Sequence, residues 1–547
     1  MAKRVRKYIF VVGGVMSGVG KGVTTSSIGT IMQAKGYNVS LIKADPYLNV
    51  DAGTMNPTEH GEVFVLDNGL ETDQDMGNYE RFLNTSLPPE NYMTNGMVFK
   101  HVIDKERALE YGGKCVEPTY HITEEILRRI QVSVKKMDAD VTIFEIGGTV
   151  GEYQNAIFLE AARQLKIKHP NDVLFVMVSF LPIPSKLGEM KTKPTQNAVR
   201  QLNSYGITPN VIVGRASVPI DKKRKQKIAM MSGVPVEYVI SAPDVSSIYD
   251  VPLNFAKEKL GDKISDLLKL PKKRNNLTKW NTFVRKAHTA KKPVKIAVVG
   301  KYFQTGDFVL SDVYISVLEA IKFSAYHVGV KPEIDYLDST TFEKDPKSLK
   351  QLEDYDGVLI PGGFGARGIE GKIAVVQYAR THGIPYFGLC YGMQLLVIEY
   401  ARNVVGLKRA HTKEIDPKSP HLVIHVMEDQ KERLKRGDLG GTMRLGSYDA
   451  KLKSGTIARK AYKKATASER HRHRYEVNPE YIEILEDHGL VFSGTSPDGL
   501  LMEIAELPLD THPFFVGAQF HPEFKARPLS PHPLFTAFLQ AAKNRAK

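Results

Sequence analysis

The chain reads as an α/β protein built from two doubly wound domains with mainly parallel sheets. Three observations support this fold class. First, short β-rich apolar runs recur without polar alternation, and each ends in Gly, Asp or Glu before a helix-length segment; strands of a parallel sheet, covered on both faces, read this way. Second, the pattern stops at a basic tether and then restarts. Third, the 547 residues exceed what one hydrophobic core organises, since domains cluster near roughly 150 residues.

The first-half strands are expected at YIFVV (8–12), VSLIKAD (39–45), DVTIFEIGG (140–148), DVLFVMVSF (172–180), NVIVG (210–214) and VEYVIS (236–241). The basic, then apolar, N-terminus superficially suits a signal peptide. Gly13 and Gly14 interrupt the run, however, and it leads directly into SGVGKG with no small-residue cleavage site. A buried strand feeding a phosphate loop accounts better for the same residues. In that loop Gly18, Gly20 and Gly22 free backbone N–H groups to curl around phosphates, and Lys21 adds a point charge at the start of a helix. The match to G-x-x-x-x-G-K-[ST] is imperfect: Val15 stands at the first glycine, and Gly22 replaces the hydroxyl residue. Glu145 ends an apolar strand, where a carboxylate can reach a phosphate-held Mg²⁺. ETDQD supplies Glu71, Asp73 and Asp75, which face one side if extended.

Between 271 and 293, PKKRNNLTKWNTFVRKAHTAKKP carries eight Lys or Arg and no acid, more than half of the net charge of +14. A basic excess fits nucleic acid, a membrane surface or polyphosphate ligands. No aromatic ladder interleaves these charges, so the segment reads as a solvated linker, with a nucleic-acid arm as the other reading. Domains are therefore expected at 1–270 and 294–547, joined by a linker at 271–293.

The second half restarts with VKIAVVGKY (294–302), DGVLIPGGFG (356–365), IPYFGLCYG (384–392) and FFVGAQFHPE (514–523). Cys390 sits between Gly388 and Gly392, after an apolar strand and before the helix-like MQLLVIEYAR. This is the pattern of a nucleophile elbow, which exposes sulfur at a helix N-terminus and favours thiolate. His521 and Glu523, two apart on an extended segment, can share a face, the carboxylate orienting the imidazole that deprotonates the thiol. PGGFG offers backbone N–H groups for an oxyanion hole. An isolated cysteine is ordinarily an inert buried thiol; elbow, PGGFG and HPE together point to covalent catalysis.

Composition narrows the class further. With 42% hydrophobic and 25% charged residues, the chain is ordinary for a soluble globular protein and excludes collagenous or disordered classes. Two cysteines exclude a disulfide scaffold and suit a reducing, cytoplasmic setting. No apolar run approaches the about 18 residues that a spanning helix needs.

These motifs carry a resemblance. The second half resembles the class I (triad) glutamine amidotransferases, which release ammonia from L-glutamine through a cysteinyl thioester. From about residue 7 to 541 the chain is similar to the CTP synthase family, most specifically at KADPYLNVDAGTMNPTEHGEVFV (43–65), ETDQDMGNYERF (71–82), EIGGTVGE (145–152), GEMKTKPTQ (188–196), DLGGTMRLG (438–446) and RHRHRYEVN (470–478). The resemblance implies that ATP phosphorylates O4 of UTP and that ammonia displaces the phosphate to give CTP, the last step of de novo CTP synthesis, with Mg²⁺ required. It assigns Gly18, Val19, Gly20, Lys21, Gly22, Val23, Lys43, Asp73, Asp244 and Val245 to ATP, and Asp73 and Glu145 to the metal. Ser17, Glu152, Tyr153, Gln154, Lys191, Thr192, Lys193, Pro194, Thr195, Gln196 and Lys227 correspond to the UTP and CTP contacts. Gly363 and the Tyr391 amide correspond to the oxyanion hole, and Gly392, Met393, Gln394, Glu414 and Arg474 to the rest of the glutamine site. His60 falls in the ammonia-gate motif, and Arg433 in the region through which GTP activates glutamine hydrolysis. A homotetramer that binds neither nucleic acid nor membrane is also implied.

The sequence departs from the family pattern at Gln154, where several members carry Glu against the inhibitor CTP. It departs again at Glu117, Pro118 and Tyr120, near the same pocket, and at Ile315, where some members have Lys. FQTGDFVLSDVY (303–314) is longer than the usual loop, so the GTP response is expected to differ. Two other classes compete. Another P-loop amidoligase with a fused glutaminase, such as a cobyrinic acid amidase, predicts poor agreement around KTKPTQ. A nucleotide-dependent filament or partition protein gives no reason for Cys390, His521 and Glu523 to occur together.

Overall fold

The computed structural model describes residues 6–186, 188–301, 304–305, 308–309, 311–427, 430 and 440–546. The chain forms two compact units. One comprises Met1–Asp51 and Asn78–Val284, the other Ala52–Gly77 and Arg285–Lys547.

The first unit is a seven-stranded parallel sheet. Its strands are β1 (Lys7–Gly14), β2 (Val39–Asp45), β3 (Tyr92–Thr94), β4 (Val141–Ile146), β5 (Val173–Phe180), β6 (Val211–Ala216) and β7 (Val239–Pro243), in the order β3-β2-β4-β1-β5-β6-β7. Each of the six runs read as a strand contains one, although residues 236–238 of VEYVIS form a 3₁₀ turn ahead of β7. β1 pairs with β4 on one side and β5 on the other, and its Phe10 ring lies 5.4 Å from both Phe144 and Phe175. Helices α1 (Lys21–Ala34), α2 (Lys193–Ser204) and α3 (Lys222–Ser232) follow β1, β5 and β6 and begin at the carboxyl ends of these strands, where ligands of open α/β sheets bind.

The expected solvated linker is corrected in part. Residues 278–289 form helix α4 (Thr278–Thr289), and its Trp280 is only 2% exposed. The indole packs 5.2 Å from the Phe82 ring, and its Nε1 donates to the Tyr249 carbonyl at 2.9 Å. Trp280, Phe283 and Val284 lie at i, i+3 and i+4, a buried stripe that the surrounding charges masked.

The second unit holds a nine-stranded sheet: β8 (Pro293–Gly300), β9 (Lys331–Asp338), β10 (Gly357–Ile360), β11 (Tyr386–Leu389), β12 (Arg444–Leu452), β13 (Thr466–His473), β14 (Val491–Thr495), β15 (Met502–Glu506) and β16 (Phe515–Ala518). The order is β9-β8-β10-β11-β16-β15-β14-β12-β13. The first five are parallel and the last four are added antiparallel, so this sheet is mixed. Helix α5 (Tyr391–Asn403) follows β11.

The segment Ala52–Gly77 belongs to this second unit although it lies far upstream in the chain. Asp67 fastens it: its Oδ1 accepts from Arg470 Nε and Ser447 Oγ, both at 2.7 Å. Burial opposes ionisation of Asp67, but Arg470, Ser447 and Lys525 hold its carboxyl well below the usual range.

Candidate active site

In the second unit β11 runs into Cys390 and then α5. Cys390 adopts φ +48° and ψ −98°, a left-handed conformation that costs a non-glycine residue about 1–3 kcal/mol. The flanking glycines permit it. A Cβ on Gly388 would fall 2.6 Å from the Gly392 carbonyl carbon, and one on Gly392 2.4 Å from the Ile360 oxygen. The Cys390 N–H donates to the Ala518 carbonyl at 2.6 Å, which pins the turn to β16. The side chains of Tyr391 and Met393 are buried in the core, so what these residues can offer the site is the backbone N–H groups of the first helical turn.

Three residues beyond β16, His521 Nδ1 lies 2.7 Å from Glu523 Oε1, and the imidazole stacks on Phe524 with centroids 5.0 Å apart. Burial pulls the His521 pKa down, but the Glu523 carboxylate and the Cys390 sulfur outweigh it and push it up to about 10. The imidazole is therefore held protonated, the state that pairs with a thiolate. Gly362 lies against both partners: a Cβ there would sit 2.8 Å from His521 Cε1 and 3.6 Å from Cys390 Cβ.

Cys390, His521 and Glu523 line a cavity of about 410 Å³ together with Gly363 and Arg474; Gly53, Thr54, Met55, Glu62 and Val63 form its other wall. Glu414 accepts the Gly365 N–H at 3.0 Å, and burial pushes its carboxyl up against that bond and the charge of Lys301. Gln394 Nε2 donates to the Tyr475 carbonyl at 3.0 Å, and Arg474 to Gln430 Oε1 at 2.6 Å. Arg433 lies outside the described residues.

Two neighbours were not expected from sequence. Gln519 Nε2 donates to Cys390 Sγ at 3.7 Å; its position two residues before His521 on an extended stretch was the available signal. Arg472 lines the cavity, its guanidinium 5.5 Å from the Phe364 centroid and 2.8 Å from Glu71 Oε1. This corrects the reading of ETDQD as three carboxylates on one extended face. Glu71 is buried under Arg472, while Asp73 starts a helix by accepting the Asp75 N–H at 2.9 Å. His60 Nδ1 lies 3.4 Å from Asp73 Oδ2, which pairs two residues for which the sequence led us to expect separate roles, at the gate and at the metal.

In the first unit the loop after β1 curls tightly. Gly18 and Gly20 have φ of +69° and +90°, and Val15 takes φ +79° at the position where the standard pattern has glycine. Lys21 folds back so that Nζ donates to the Gly148 carbonyl at 2.8 Å; a Cβ on Gly13 would lie 2.9 Å from that Nζ. Gly22 and Val23 open α1, presenting backbone N–H groups to the loop. Beside Gly20, Arg215 bridges to Asp244 Oδ1 at 2.7 Å, with Val245 next in the chain; Arg215 was not expected. Lys43 Nζ lies 3.1 Å from Glu145 Oε1 and 3.6 Å from Asp45 Oδ1, and Tyr79 donates to the other Glu145 oxygen.

The metal expectation can be tested on these donors. Among the described residues no group of three or more His, Cys, Asp or Glu could hold an ion. Mg²⁺ in nucleotide sites needs only one or two carboxylates beside phosphates, and Glu145, a hard oxygen donor at a strand end, fits. Asp73 lies in the other unit.

The segment that enters α2 supplies a second cationic cluster. Lys191 and Arg224 reach Glu189 at 2.7 and 3.5 Å, and Lys227 adds its charge there, so the Glu189 carboxyl is held low, by Lys191 first. Thr192, Thr195 and Gln196 are buried, Gln196 Nε2 donating to Thr192 Oγ1 at 3.0 Å, while Lys193 is exposed and Pro194 partly so at the helix start. Ser17 is exposed on the phosphate loop and Tyr153 is fully exposed; Gln154 Nε2 donates to Glu152 Oε2 at 2.8 Å.

Comparison with known proteins agrees with both halves. Residues 7–270 match the family model described as CTP synthase N-terminus, and 309–541 the model described as glutamine amidotransferase class-I. A CTP synthase of Thermococcus gammatolerans is 49% identical over 541 residues, covering 98% of this chain and 99% of that protein. One from Pyrococcus furiosus is 50% identical over 539 residues, 98% of each. Among solved structures, the glutaminase domain of Trypanosoma brucei CTPS with bound acivicin is 38% identical, covers 46% of this chain and 94% of that one, and has a TM-score of 0.42. A glycine-rich loop at one sheet, a cysteine elbow at another and near half identity along almost the whole length leave one assignment: the chain belongs to the CTP synthase family.

Proposed function

We propose that this glutamine-hydrolysing ligase makes CTP from UTP in two separate chemistries. The first unit transfers phosphate from ATP to O4 of UTP, and the ammonia that displaces the phosphate comes from glutamine at the second. The observation that carries this reading is the Cys390 elbow facing a His521 held protonated by Glu523. Cys390 attacks the glutamine amide carbon, His521 gives its proton to the departing ammonia, and water then releases glutamate from the thioester. Backbone N–H groups of Tyr391 and Gly363 stabilise the oxyanion in both steps. Gln394, Glu414 and Arg474 hold the amino-acid end of the substrate.

In the first unit Lys21 and Lys43 stabilise the transferring phosphoryl charge, and Lys191 to Gln196 with Lys227 take the UTP phosphates. Glu145 would hold Mg²⁺, which neutralises phosphate charge when bound. GTP activation through the Arg433 region, inhibition by CTP and a homotetramer complete the proposal. Residues 1–270 and 294–547 are the proposed synthetase and glutaminase sequences. Free Cys115 and Cys390 suit a reducing cytoplasm. The test is CTP formation followed by absorbance with UTP, ATP, Mg²⁺ and glutamine, beside an ammonia control; failure with both nitrogen sources refutes the reading.

Inhibition by CTP is expected to be weaker than in a member with Glu at position 154, and Gln154→Glu should strengthen it. A hydrogen bond to a charged group is worth about 1.5–3 kcal/mol against roughly 0.5–1.5 for a neutral one, so about 1 kcal/mol, or about fivefold in the inhibition constant, is expected. The change also breaks the bond from Gln154 to Glu152, freeing a carboxylate to meet ligand hydroxyl or amino donors. The KM for UTP should move little. An unchanged inhibition constant would remove Gln154 as the determinant.

A further inference from the structure

Behind Cys390 lies a buried polar assembly that glutamine hydrolysis does not consume. Strand β13 passes the site, and its backbone touches both reacting partners. The Arg470 carbonyl accepts the His521 N–H at 2.7 Å, and the Arg472 carbonyl lies 3.9 Å from Cys390 Sγ. Side chains alternate along a strand, so His471 and His473 leave β13 on the face opposite Arg472. They are 1% and 2% exposed, with ring nitrogens 2.9 Å apart.

Arg444, at the start of β12, closes a frame around the two rings. Its guanidinium reaches Glu503 on β15 at 2.7 Å and Glu476 at 3.2 Å. His471 Nε2 lies 3.5 Å from Glu503 Oε2, and His473 Nδ1 3.4 Å from Glu476 Oε1. Burying such ions is expensive, and apolar residues of similar volume often hold strands together at lower cost. Cohesion alone is therefore a poor reason for the assembly.

Its charge state fits a role beside the nucleophile. Burial, then the charge of Glu503, pushes the Glu476 carboxyl well up against the opposing charge of Arg444. Burial, then the Arg444 charge, pushes His471 and His473 well down, and the His521 charge acts in the same direction. Both rings are thus neutral. Among these three histidines only His521 is pushed up, toward the imidazolium.

We propose that Arg444, Glu503, Glu476, His471 and His473 form a frame that positions the Cys390–His521 pair, by fixing the β13 carbonyls at 470 and 472. This rests on the reading of Cys390 as the nucleophile of glutamine hydrolysis. His471 and His473 are positioning residues, since they act through the strand that bears them.

The test uses the full chain in a Cys115→Ser background, which leaves Cys390 as the sole thiol. For His473→Ala, His473→Gln and Glu503→Gln one measures kcat and KM for glutamine hydrolysis, ammonia-dependent CTP synthesis, and the rate of Cys390 alkylation by iodoacetamide. His473→Ala and Glu503→Gln should lower kcat about 10- to 100-fold, the loss expected from a displacement near 1 Å. KM should stay within about threefold, alkylation should slow, and ammonia-dependent synthesis should hold. His473→Gln, whose amide can bridge the same neighbours, should recover part of the loss. Unchanged kcat and alkylation, a rise in KM alone, or faster alkylation from a loosened site would each overturn the proposal, as would failure of all three variants to fold. If Cys390→Ala retains hydrolysis, the underlying reading fails; if it is inactive while the frame variants are normal, only the frame fails.

Discussion

Cys390→Ala is expected to abolish glutamine-dependent CTP formation while ammonia-dependent synthesis stays close to that of the unaltered protein. Removing a nucleophile that acts as a unit with its base costs on the order of 10⁴-fold or more. In the proposed mechanism the sulfur is needed only to liberate ammonia. Structurally the change is mild: alanine keeps the Cβ and the N–H bond to Ala518, and relieves nothing at φ +48°. The two nitrogen sources assayed on one preparation decide the matter. Parallel loss of both activities in a folded variant would mean that the chemistries are not separable.

Lys21→Ala is expected to remove CTP synthesis with either nitrogen source, by on the order of 10²-fold or more, because phosphoryl transfer depends on positioned positive charge. The Lys21 ammonium is already aimed: its bond to the Gly148 carbonyl arches it over the loop, and bound phosphate would compete for the same donor. Glutamine hydrolysis without synthesis should survive. Undiminished ammonia-dependent synthesis would refute the phosphate-site assignment, and thermal melting beside the unaltered protein separates lost chemistry from lost fold.

Much of the fold was legible because its signals are local. The six first-half runs became the strands β1, β2 and β4 to β7 through continuous apolar character, and the Cys390 turn declared itself by two glycines within five residues. What escaped depends on partners distant in the chain or on competing local signals. The buried stripe of α4 was outvoted by eight basic neighbours. The fate of Glu71 could not be read from ETDQD, since its partner Arg472 lies 401 residues onward. Among the candidate site residues, Lys21, Cys390, His521 and Glu523 are picked out by motif spacing. Gln519 and Arg215 reach their places through strand geometry that spacing does not encode.

The upstream wall of the Cys390 cavity has a consequence for the order in which the protein is made. Gly53 to Val63 leave the ribosome early, yet Asp67, which fastens their segment, waits for Arg470, 403 residues later. Domains generally fold as units from the N-terminus during synthesis at roughly 5–20 residues per second. The first unit can therefore close around its sheet once Val284 has emerged, with Ala52–Gly77 held out as a loop. The cavity cannot be walled until β13 and the His521 segment exist, close to the end of the chain. A nascent chain thus carries a folded synthetase sheet before it can release ammonia, and truncated products lacking the last strands should be unable to waste glutamine.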